Sequence, residues 1–569
     1  MLAKIYSSAI VGVDARLVEV EVSKSKGIPG LDLVGLPDAS LREGTVRIRS
    51  ALAQSGFALS PSRFAVNLAP ADLRKDGAAF DLAIALGLMA AQHTISYEAI
   101  EDVLAIGELA LDGRIRPVRG ALASAELAFQ LPYIRRIVVP EENYEEAAVL
   151  IEEQVTGETH RDQVSIRNMD TSRIDIVSVI SLQHATHLLC APPSSTSDSS
   201  PSATLRTTVF SGRTKNDSLT PLLESTSAVT HPTRNKEKQK NKSRKRPDFA
   251  DVQGQHRARR AAEIAAAGNH NMLMIGPPGA GKTMIAEAMP SIMPTVTSTE
   301  LIEILKIRSA SGDTSWTSAS ALIQKKTRPF RAPHHSASTV GLVGGGSIPK
   351  PGEISFAHNG VLFLDELPEF DRKTLEMLRQ PLESGDIAIL RARDRVIFPA
   401  KFMLIAAMNP CPCGYDGSDA KTCVCADTKK ISYRSKISGP LLDRIDIFVR
   451  LDPPNPTTLF SERQSEASKD ISARVVAAQQ RRRAHCSRVG IDPNLPLDAH
   501  DIRTHIALDA ATRQLLTQVA EKFSLSSRGA HRIVYVAQTI AYLDDRETIT
   551  RSDIAYAVSL RRDRFSFAR

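Results

Sequence analysis

Alternating apolar and polar residues mark the first part of the chain. In the segment Leu-Val-Glu-Val-Glu-Val at 17–22, the apolar side chains recur at every second position, which predicts a half-buried β-strand. Apolar residues at helical spacing fill 80–89, which predicts a buried helix. Residues 1–188 are therefore predicted to form one folded unit of mixed α/β type.

The pattern is lost after this unit and returns later. Residues 189–247 are rich in Ser, Thr and Pro, and such a segment buries too little apolar surface to offset its ordering entropy. We predict a disordered linker there. Apolar strands alternate with helical stretches over 248–455, which is typical of a parallel sheet with crossover helices. The pattern over 456–569 is mostly helical.

A glycine-rich loop supplies the strongest chemical signal. It follows the apolar run 272–275 and precedes a helical stretch, which is the context that a phosphate-binding loop requires. Its backbone N–H groups would wrap phosphate oxygens, Lys282 would reach the β- and γ-phosphates, and Thr283 would bind Mg²⁺. The predicted ATP-binding residues are Gly276, Pro277, Pro278, Gly279, Ala280, Gly281, Lys282 and Thr283.

Polar residues follow two later apolar strands. Asp365 and Glu366 come directly after 361–364, and Asn409 follows 402–408. Ligands bind at the carboxyl ends of the strands in open α/β sheets, so these side chains are predicted to reach the nucleotide. Asp365 would hold Mg²⁺, Glu366 would activate the attacking water, and Asn409 would contact the γ-phosphate or that water.

Four of the six cysteines lie close together in the sequence. Cys411 and Cys413 are followed after nine residues by Cys423 and Cys425. Four thiolates can close a tetrahedral zinc site, although a spacing of one residue within each pair is tighter than the usual two. The alternatives are a structural Zn²⁺ site and reduced cysteines without a ligand.

Composition and charge restrict the class of protein. The chain of 569 residues has 42% hydrophobic and 24% charged residues, which is close to a soluble globular average. Its first residues lack the apolar core of a signal peptide, no run is long enough to span a membrane, and six cysteines are too few for a disulfide scaffold. We therefore expect a cytoplasmic protein.

The basic character of the chain is concentrated in one segment. The formal net charge is +8, and the run 234–246 holds eight basic residues and one acidic residue, a net +7. The remaining 556 residues are left with +1. The charge balance is therefore poor evidence that the folded parts bind nucleic acid.

The three nucleotide motifs, in this order, resemble those of the AAA+ ATPases. Further stretches narrow the resemblance to the magnesium chelatase-like ComM/YifB family, and it covers nearly the whole chain except about 190–246. These stretches are Phe249–Gln255, Arg328–His335, Gly344–Ser347, Pro351–Gly360, Ile437–Asp446, Gly35–Asp38, Val66–Leu73, Gly107–Leu109 and Ser527–Arg532.

The resemblance implies a hexameric ring motor that uses ATP and Mg²⁺. Arg444 corresponds to the arginine finger, which reaches the neighbouring subunit's site, and Arg528 corresponds to the sensor 2 arginine of a C-terminal helical lid. It also implies a DNA branch-migration helicase that helps to integrate imported single strands during natural transformation. A metal-chelatase motor subunit and an ATP-dependent regulator without DNA translocation remain alternatives.

The segment 387–398 reads as a hairpin with a basic tip, formed by Arg391, Arg393 and Arg395. It corresponds to an insertion hairpin that lines the ring channel in related motors, so these arginines are candidate DNA contacts. His334, His335 and Lys350 lie in a second insertion, for which a structural or DNA-facing role is expected.

The first domain resembles the fold of Lon-type proteases. Those enzymes need a nucleophilic serine, but Ala79 occupies the matching position in the segment 75–81. Because alanine has no hydroxyl group, nucleophilic catalysis by that route is not possible. An accessory role in assembly or DNA engagement is expected for 1–188.

Overall fold

The structure is a computed structural model. The residues described are 2–35, 39–75, 77–156, 174–190, 247–312, 323, 326–346, 349–390, 395–417, 421–453, 465–491, 504–506 and 508–561. They belong to one compact unit formed by 1–191 and 247–569. Nearly all of the predicted linker 189–247 lies outside the described residues.

The N-terminal part is built on a mixed seven-stranded sheet with the order β3-β4-β2-β1-β5-β8-β9. The pairings of β2 with β1 and β4 are antiparallel, whereas the pairing of β3 with β4 and all pairings from β1 through β5 and β8 to β9 are parallel. A small hairpin, β6–β7, lies beside it. The strands are β1 Leu2–Val11, β2 Asp14–Ser25, β3 Gly30–Val34, β4 Arg63–Ala69, β5 Val103–Ala105, β6 Glu108–Leu109, β7 Ile115–Arg116, β8 Arg136–Pro140 and β9 Asp175–Val179.

The predicted alternation is confirmed in β2. Val18, Val20 and Val22 are fully buried, whereas the residues between them are only partly buried. The predicted helix is also present, at Asp81–Ala91, and all of its residues are buried. It packs against β1 and β2, so a helix that is apolar on every side forms the centre of this part.

The second part contains a five-stranded sheet in which every pairing is parallel, with the order β11-β14-β17-β10-β18. The three central strands are wholly buried, which explains why they are continuous apolar runs in the sequence. Two hairpins, β12–β13 and β15–β16, project from it. The strands are β10 Met272–Ile275, β11 Phe330–Arg331, β12 Gly344–Gly345, β13 Lys350–Pro351, β14 Val361–Leu364, β15 Asp386–Leu390, β16 Arg395–Pro399, β17 Met403–Met408 and β18 Ile447–Arg450.

Helices cover both sheets and dominate the C-terminal part. In the first part they are Ala39–Gln54, Asp81–Ala91, Ala121–Gln130, Tyr144–Thr156 and Leu182–Cys190. Around the second sheet they are His256–Gly268, Lys282–Ile292, Ser298–Ser311, Thr339–Val343, Glu353–Phe356, Arg372–Met377, Pro381–Ser384, Asp427–Ser435 and Gly439–Leu442. The last described helices are Ser468–Val489, Ala510–Lys522, Ser527–Leu543 and Arg551–Ser559.

The C-terminal helices share a buried core with the parallel sheet. Ile533, Val536 and Ile554 belong to the same apolar cluster as Met272 and Ile447 of the strands. This packing fixes the C-terminal helices against one face of the sheet.

The N-terminal part packs against the second part through the helix Ser298–Ser311 and the hairpin β15–β16. Lys306 in that helix lies between two carboxylates of the N-terminal part, 2.7 Å from Asp14 and 2.6 Å from Glu126. Val13 packs in a buried cluster with Val396 and Phe398 of β16. The hairpin is therefore supported at its base by the N-terminal part.

Among the described residues, no helix is both long enough and apolar enough to cross a lipid bilayer.

Candidate functional site

The phosphate-binding loop lies at the carboxyl end of β10 and leads into the helix Lys282–Ile292. Gly279 and Gly281 adopt φ values of +78° and +88°, which glycine tolerates without strain. The Lys282 ammonium donates to the carbonyl oxygens of Gly276 (2.7 Å) and Pro277 (2.9 Å). Burial lowers the pKa of Lys282, and the charges of Asp365 and Glu366 oppose that shift.

Polar side chains that follow β14 and β17 contact the end of this loop. The Thr283 hydroxyl donates to Oδ2 of Asp365 over 3.0 Å, and the Lys282 ammonium donates to Oδ1 of Asn409 over 3.0 Å. Because β14, β17 and β10 are neighbouring parallel strands, their carboxyl ends bring these side chains to one edge of the sheet. The hydroxyl and carboxylate oxygens of Thr283 and Asp365 are hard donors that suit Mg²⁺.

Glu366 has an unusual backbone conformation. Its φ of +51° and ψ of +46° fall in the left-handed region, which costs a residue with a side chain about 1 kcal/mol or more. Its N–H donates to Oδ1 of Asp365 over 2.9 Å. The carboxyl group of Glu366 is half-exposed.

A histidine contacts this carboxyl group. Nδ1 of His335 lies 3.3 Å from Oε2 of Glu366, and its ring also packs on His334, with ring centroids 4.1 Å apart. His335 thus lies beside Glu366 at the carboxyl end of β14, and the structural or DNA-facing role predicted for the two histidines stays a prediction. The sequence provided little indication of this position for His335, because the preceding strand, β11, has only two residues and shows no periodicity.

Arg444 and Arg528 lie at the other edge of the sheet. Arg444 precedes β18, and its carbonyl oxygen accepts from the side chain of Asn271, the residue before β10. β10 and β18 are parallel and in register, so these residues lie at their amino ends. Four residues of strand, roughly 10–13 Å, separate this edge from the edge where Lys282 lies.

The two arginines meet on one carboxylate. Oε2 of Glu383 accepts from Nη2 of Arg444, and Oε1 accepts from Nη2 of Arg528. Glu383 belongs to the short helix Pro381–Ser384 and was not singled out by the sequence. It lies 61 positions from Arg444 and 145 from Arg528, so no local pattern could have identified it.

A buried ionic cluster holds the segment that carries Arg444. Asp446 is 4% exposed and accepts from Arg532, and Nδ1 of His270 lies 3.6 Å from it. Arg561, completely buried, donates to the carbonyl oxygens of Ile445 and Asp446. Burial acts to raise the pKa of Asp446, but the charge of Arg532 and the contact with His270 hold it well below the usual range.

The four clustered cysteines converge in space. Their sulfur atoms all lie within 4.8 Å of one another. Sγ of Cys411 lies 3.3 Å from that of Cys413 and 3.7 Å from that of Cys423, and the Cys413–Cys423 separation is 3.6 Å. Zn–S bonds of about 2.3 Å in a tetrahedron place sulfur atoms about 3.8 Å apart, so the donor set and its size fit Zn²⁺.

The cysteine cluster lies against the phosphate-binding loop. A Cβ atom at Gly414, whose φ is +88°, would stand 2.7 Å from Cδ of Pro278, so glycine allows this approach. Backbone N–H groups of Tyr415 and Val424 lower the pKa of Cys413 to about 6, whereas desolvation and the neighbouring cysteines raise the pKa values of Cys423 and Cys425. The Asp416 carboxylate pairs with Lys430 and Arg434 of the helix Asp427–Ser435, and the backbone carbonyl oxygen of Asp416 accepts from Arg450 of β18.

The predicted basic hairpin is present, as β15–β16, in register from Asp386 opposite Pro399 to Leu390 opposite Arg395. Arg395 is exposed at its end, and Arg391 and Arg393 lie outside the described residues. Lys350, in β13, is exposed as well. The hairpin therefore carries an exposed basic side chain at Arg395.

Three family models match the chain. Residues 248–459 match "Magnesium chelatase, subunit ChlI", residues 18–143 match "Subunit ChlI of Mg-chelatase", and residues 465–561 match "Magnesium chelatase, subunit ChlI C-terminal". The matches cover the five-stranded sheet, the seven-stranded sheet except β1, β9 and the start of β2, and the C-terminal helices.

Curated relatives extend over almost the entire chain. It is 36% identical to the "Uncharacterized protein YifB" of Escherichia coli over 562 residues, 98% of this chain and 97% of the relative. It is also 36% identical to the "Competence protein ComM" of Haemophilus influenzae over 571 residues, with 98% and 97% covered. A shorter match, 24% identical over 195 residues, is the "DNA replication licensing factor mcm-6" of Caenorhabditis briggsae, where 34% of this chain is covered. The chain therefore belongs to the ComM/YifB family of magnesium chelatase-like AAA+ ATPases.

Proposed function

We propose that this protein is an ATP-driven, ring-forming DNA motor that moves branched junctions and thereby integrates single-stranded DNA during recombination. One observation carries the motor part. The residues that suit MgATP lie at one edge of the parallel sheet, and the two arginines suited to γ-phosphate lie at the other. A complete site then requires two subunits, as in a ring.

Each group has a distinct part in the proposed hydrolysis. Lys282 and the loop N–H groups bind the phosphates, while Thr283 and Asp365 hold Mg²⁺, which neutralises charge on the phosphate oxygens. Glu366 takes the proton of the attacking water, and Asn409 orients the γ-phosphate or that water. Arg444 and Arg528 of the neighbouring subunit stabilise the charge of the transition state.

The DNA part of the proposal is supported by relatives and by the hairpin. One relative is named a competence protein and another a DNA replication licensing factor. Arg395 is exposed on a hairpin, where a basic side chain is available to phosphates. Arg391 and Arg393 are proposed to extend this contact, and a hexamer would bring several hairpins to one channel.

The test is ATP-dependent branch migration on a synthetic three-strand junction, with the purified chain alone. We expect strand exchange with the wild-type chain and none with Lys282→Ala, because the phosphates lose their buried cation. No strand movement at saturating wild-type protein would contradict the DNA function. Junction-independent ATP turnover that needs a further protein would favour a chelatase-type motor or a regulator.

We also propose that Cys411, Cys413, Cys423 and Cys425 bind one structural Zn²⁺. The sulfur separations, the backbone N–H groups around Cys413 and the contact of Gly414 with Pro278 support this assignment. A metal would fix a short segment that has little core of its own. It would thereby support the phosphate-binding loop and Asn409, which precedes the cluster by two residues.

Metal removal should weaken nucleotide binding. We expect one zinc per chain by elemental analysis, complete loss in the double variant Cys411→Ser/Cys413→Ser, and ATP binding weakened about tenfold or more, since outer supports of a site typically contribute that much. Cys190→Ser is the matched control, because Cys190 is an exposed cysteine outside the cluster. If the wild-type protein contains no zinc as purified and binds ATP with normal affinity, the proposed zinc site is wrong.

A further inference from the structure

Resting on the proposed function, we propose that Glu383 acts as a stand-in anion. Its carboxylate holds Arg444 and Arg528 side by side until the γ-phosphate of the neighbouring subunit's ATP displaces it. In this role Glu383 competes with the phosphate for the same guanidinium groups. It therefore sets how readily one subunit engages the ATP of the next.

Of the three guanidinium nitrogens of Arg444, two donate to backbone carbonyl oxygens and only Nη2 donates to a carboxylate that a phosphate could replace. Nε donates to the carbonyl oxygen of Arg379 over 3.1 Å, and Nη1 donates to that of Pro440 over 2.8 Å. These two bonds fix the guanidinium plane, and its side chain is only 8% exposed. Nη2 contacts the one charged acceptor of the group, Glu383, so an arriving phosphate would have to take that bond.

Glu383 is far more exposed than Arg444, which it contacts. Its side chain is 51% exposed and sits on a helix of four residues, so its withdrawal costs little packing. Arg528, which is 50% exposed, lies in the first turn of the long helix Ser527–Leu543. Release of the carboxylate would thus break the ion pair between Arg528 of the C-terminal helices and Glu383 of the parallel-sheet part.

A cavity adjoins this contact. It has a volume of about 510 Å³ and is lined by Val343, Met377, Arg379, Glu383, Ile387 and Arg444. Small-molecule sites commonly have volumes of about 300–1,000 Å³, so a phosphate chain fits the space beside Arg444. The space beside Glu383 and Arg444 is where the stand-in anion would be exchanged.

Charge favours the exchange. The hydrogen bonds of Arg444 and Arg528 lower the pKa of Glu383, so its carboxyl group is ionised. Two guanidinium groups and one carboxylate carry a net charge of +1. A terminal phosphate carries more negative charge than a carboxylate and offers three oxygens to the same donors, so it competes effectively.

The test is self-association in the presence of Mg²⁺ and a non-hydrolysable ATP analogue, measured by sedimentation velocity over a range of protein concentrations. Glu383→Gln keeps the side-chain size but removes the charge that must be displaced. We expect Glu383→Gln to reach half-maximal assembly at a protein concentration about threefold or more below that of the wild type. The reason is that fewer chains have Arg444 and Arg528 occupied by a carboxylate. Steady-state ATP turnover should reach half its maximum at a correspondingly lower protein concentration.

Glu547→Gln is the matched control, because the proper comparison is a carboxylate outside the cavity. Glu547 pairs with Arg488 at the surface and does not line the cavity, so assembly of this variant should equal that of the wild type. Glu383→Asp is the second variant: a shorter carboxylate cannot bridge both arginines, and we expect a smaller shift in the same direction. Thermal unfolding of each variant verifies that it folds.

The outcomes separate the two proposals. If the wild-type chain assembles with the ATP analogue but Glu383→Gln assembles at the same or a higher concentration, the stand-in role is wrong and the ring motor stands. If the wild-type chain fails to assemble with nucleotide, the ring motor fails, and the stand-in role fails with it.

Discussion

Replacing Glu366 with glutamine should nearly abolish ATP hydrolysis and leave ATP binding intact. Glutamine cannot accept the proton of the attacking water, and the loss of a general base lowers kcat by about 10²–10⁴-fold. Lys282, Thr283 and Asp365, which suit phosphate and Mg²⁺, keep their contacts. Steady-state turnover and equilibrium binding of a fluorescent ATP analogue measure the two effects separately.

Glu369→Gln is the control for that experiment. Glu369 lies three residues further along and pairs with Lys436 at the surface, 3.4 Å away, so its loss should change turnover little. Wild-type turnover in Glu366→Gln would show that another group activates the water. A parallel loss of ATP affinity would show that Glu366 acts in binding instead.

Replacing Arg444 with alanine should lower turnover by about 10³–10⁵-fold, the range for a lost arginine finger. Because Arg444 lies at the amino ends of β10 and β18, its own nucleotide edge is out of its reach, so the effect should be exerted on the neighbouring subunit. The measurement is steady-state ATP turnover of the Arg444→Ala chain, at protein concentrations that allow assembly.

Mixing two inactive variants tests the direction of this contact. Arg444→Ala and Lys282→Ala chains should each be inactive alone, yet a mixture should regain part of the activity. Some interfaces in the mixture pair an intact phosphate-binding loop with an intact Arg444. No recovery, although the two chains co-assemble, would place the function of both residues within one subunit.

The nucleotide edge was predictable because local pattern and topology agree there. β10, β14 and β17 are apolar runs of four to six residues, each followed by polar or glycine residues, and parallel pairing brings their carboxyl ends together. The convergence of Thr283 on Asp365 and of Lys282 on Asn409 follows from that order. Sequence alone therefore identified the side chains that the fold assembles.

The contacts of Glu383 and His335 could not be predicted in this way. Glu383 lies in a four-residue helix and His335 follows a two-residue strand, and both elements are too short to show periodicity. Their partners come from distant segments, so only the tertiary packing brings them together. Likewise, no sequence pattern indicated that Val13 packs on Val396 and Phe398.

That last contact has a mechanical consequence. β16 shares a buried apolar cluster with Val13, which lies in the turn between β1 and β2 of the seven-stranded sheet. Swinging the hairpin independently would expose Val396 and Phe398 to water, at a cost of about 1.5–3 kcal/mol for each large side chain. We therefore expect the hairpin and the N-terminal part to move together as one rigid unit.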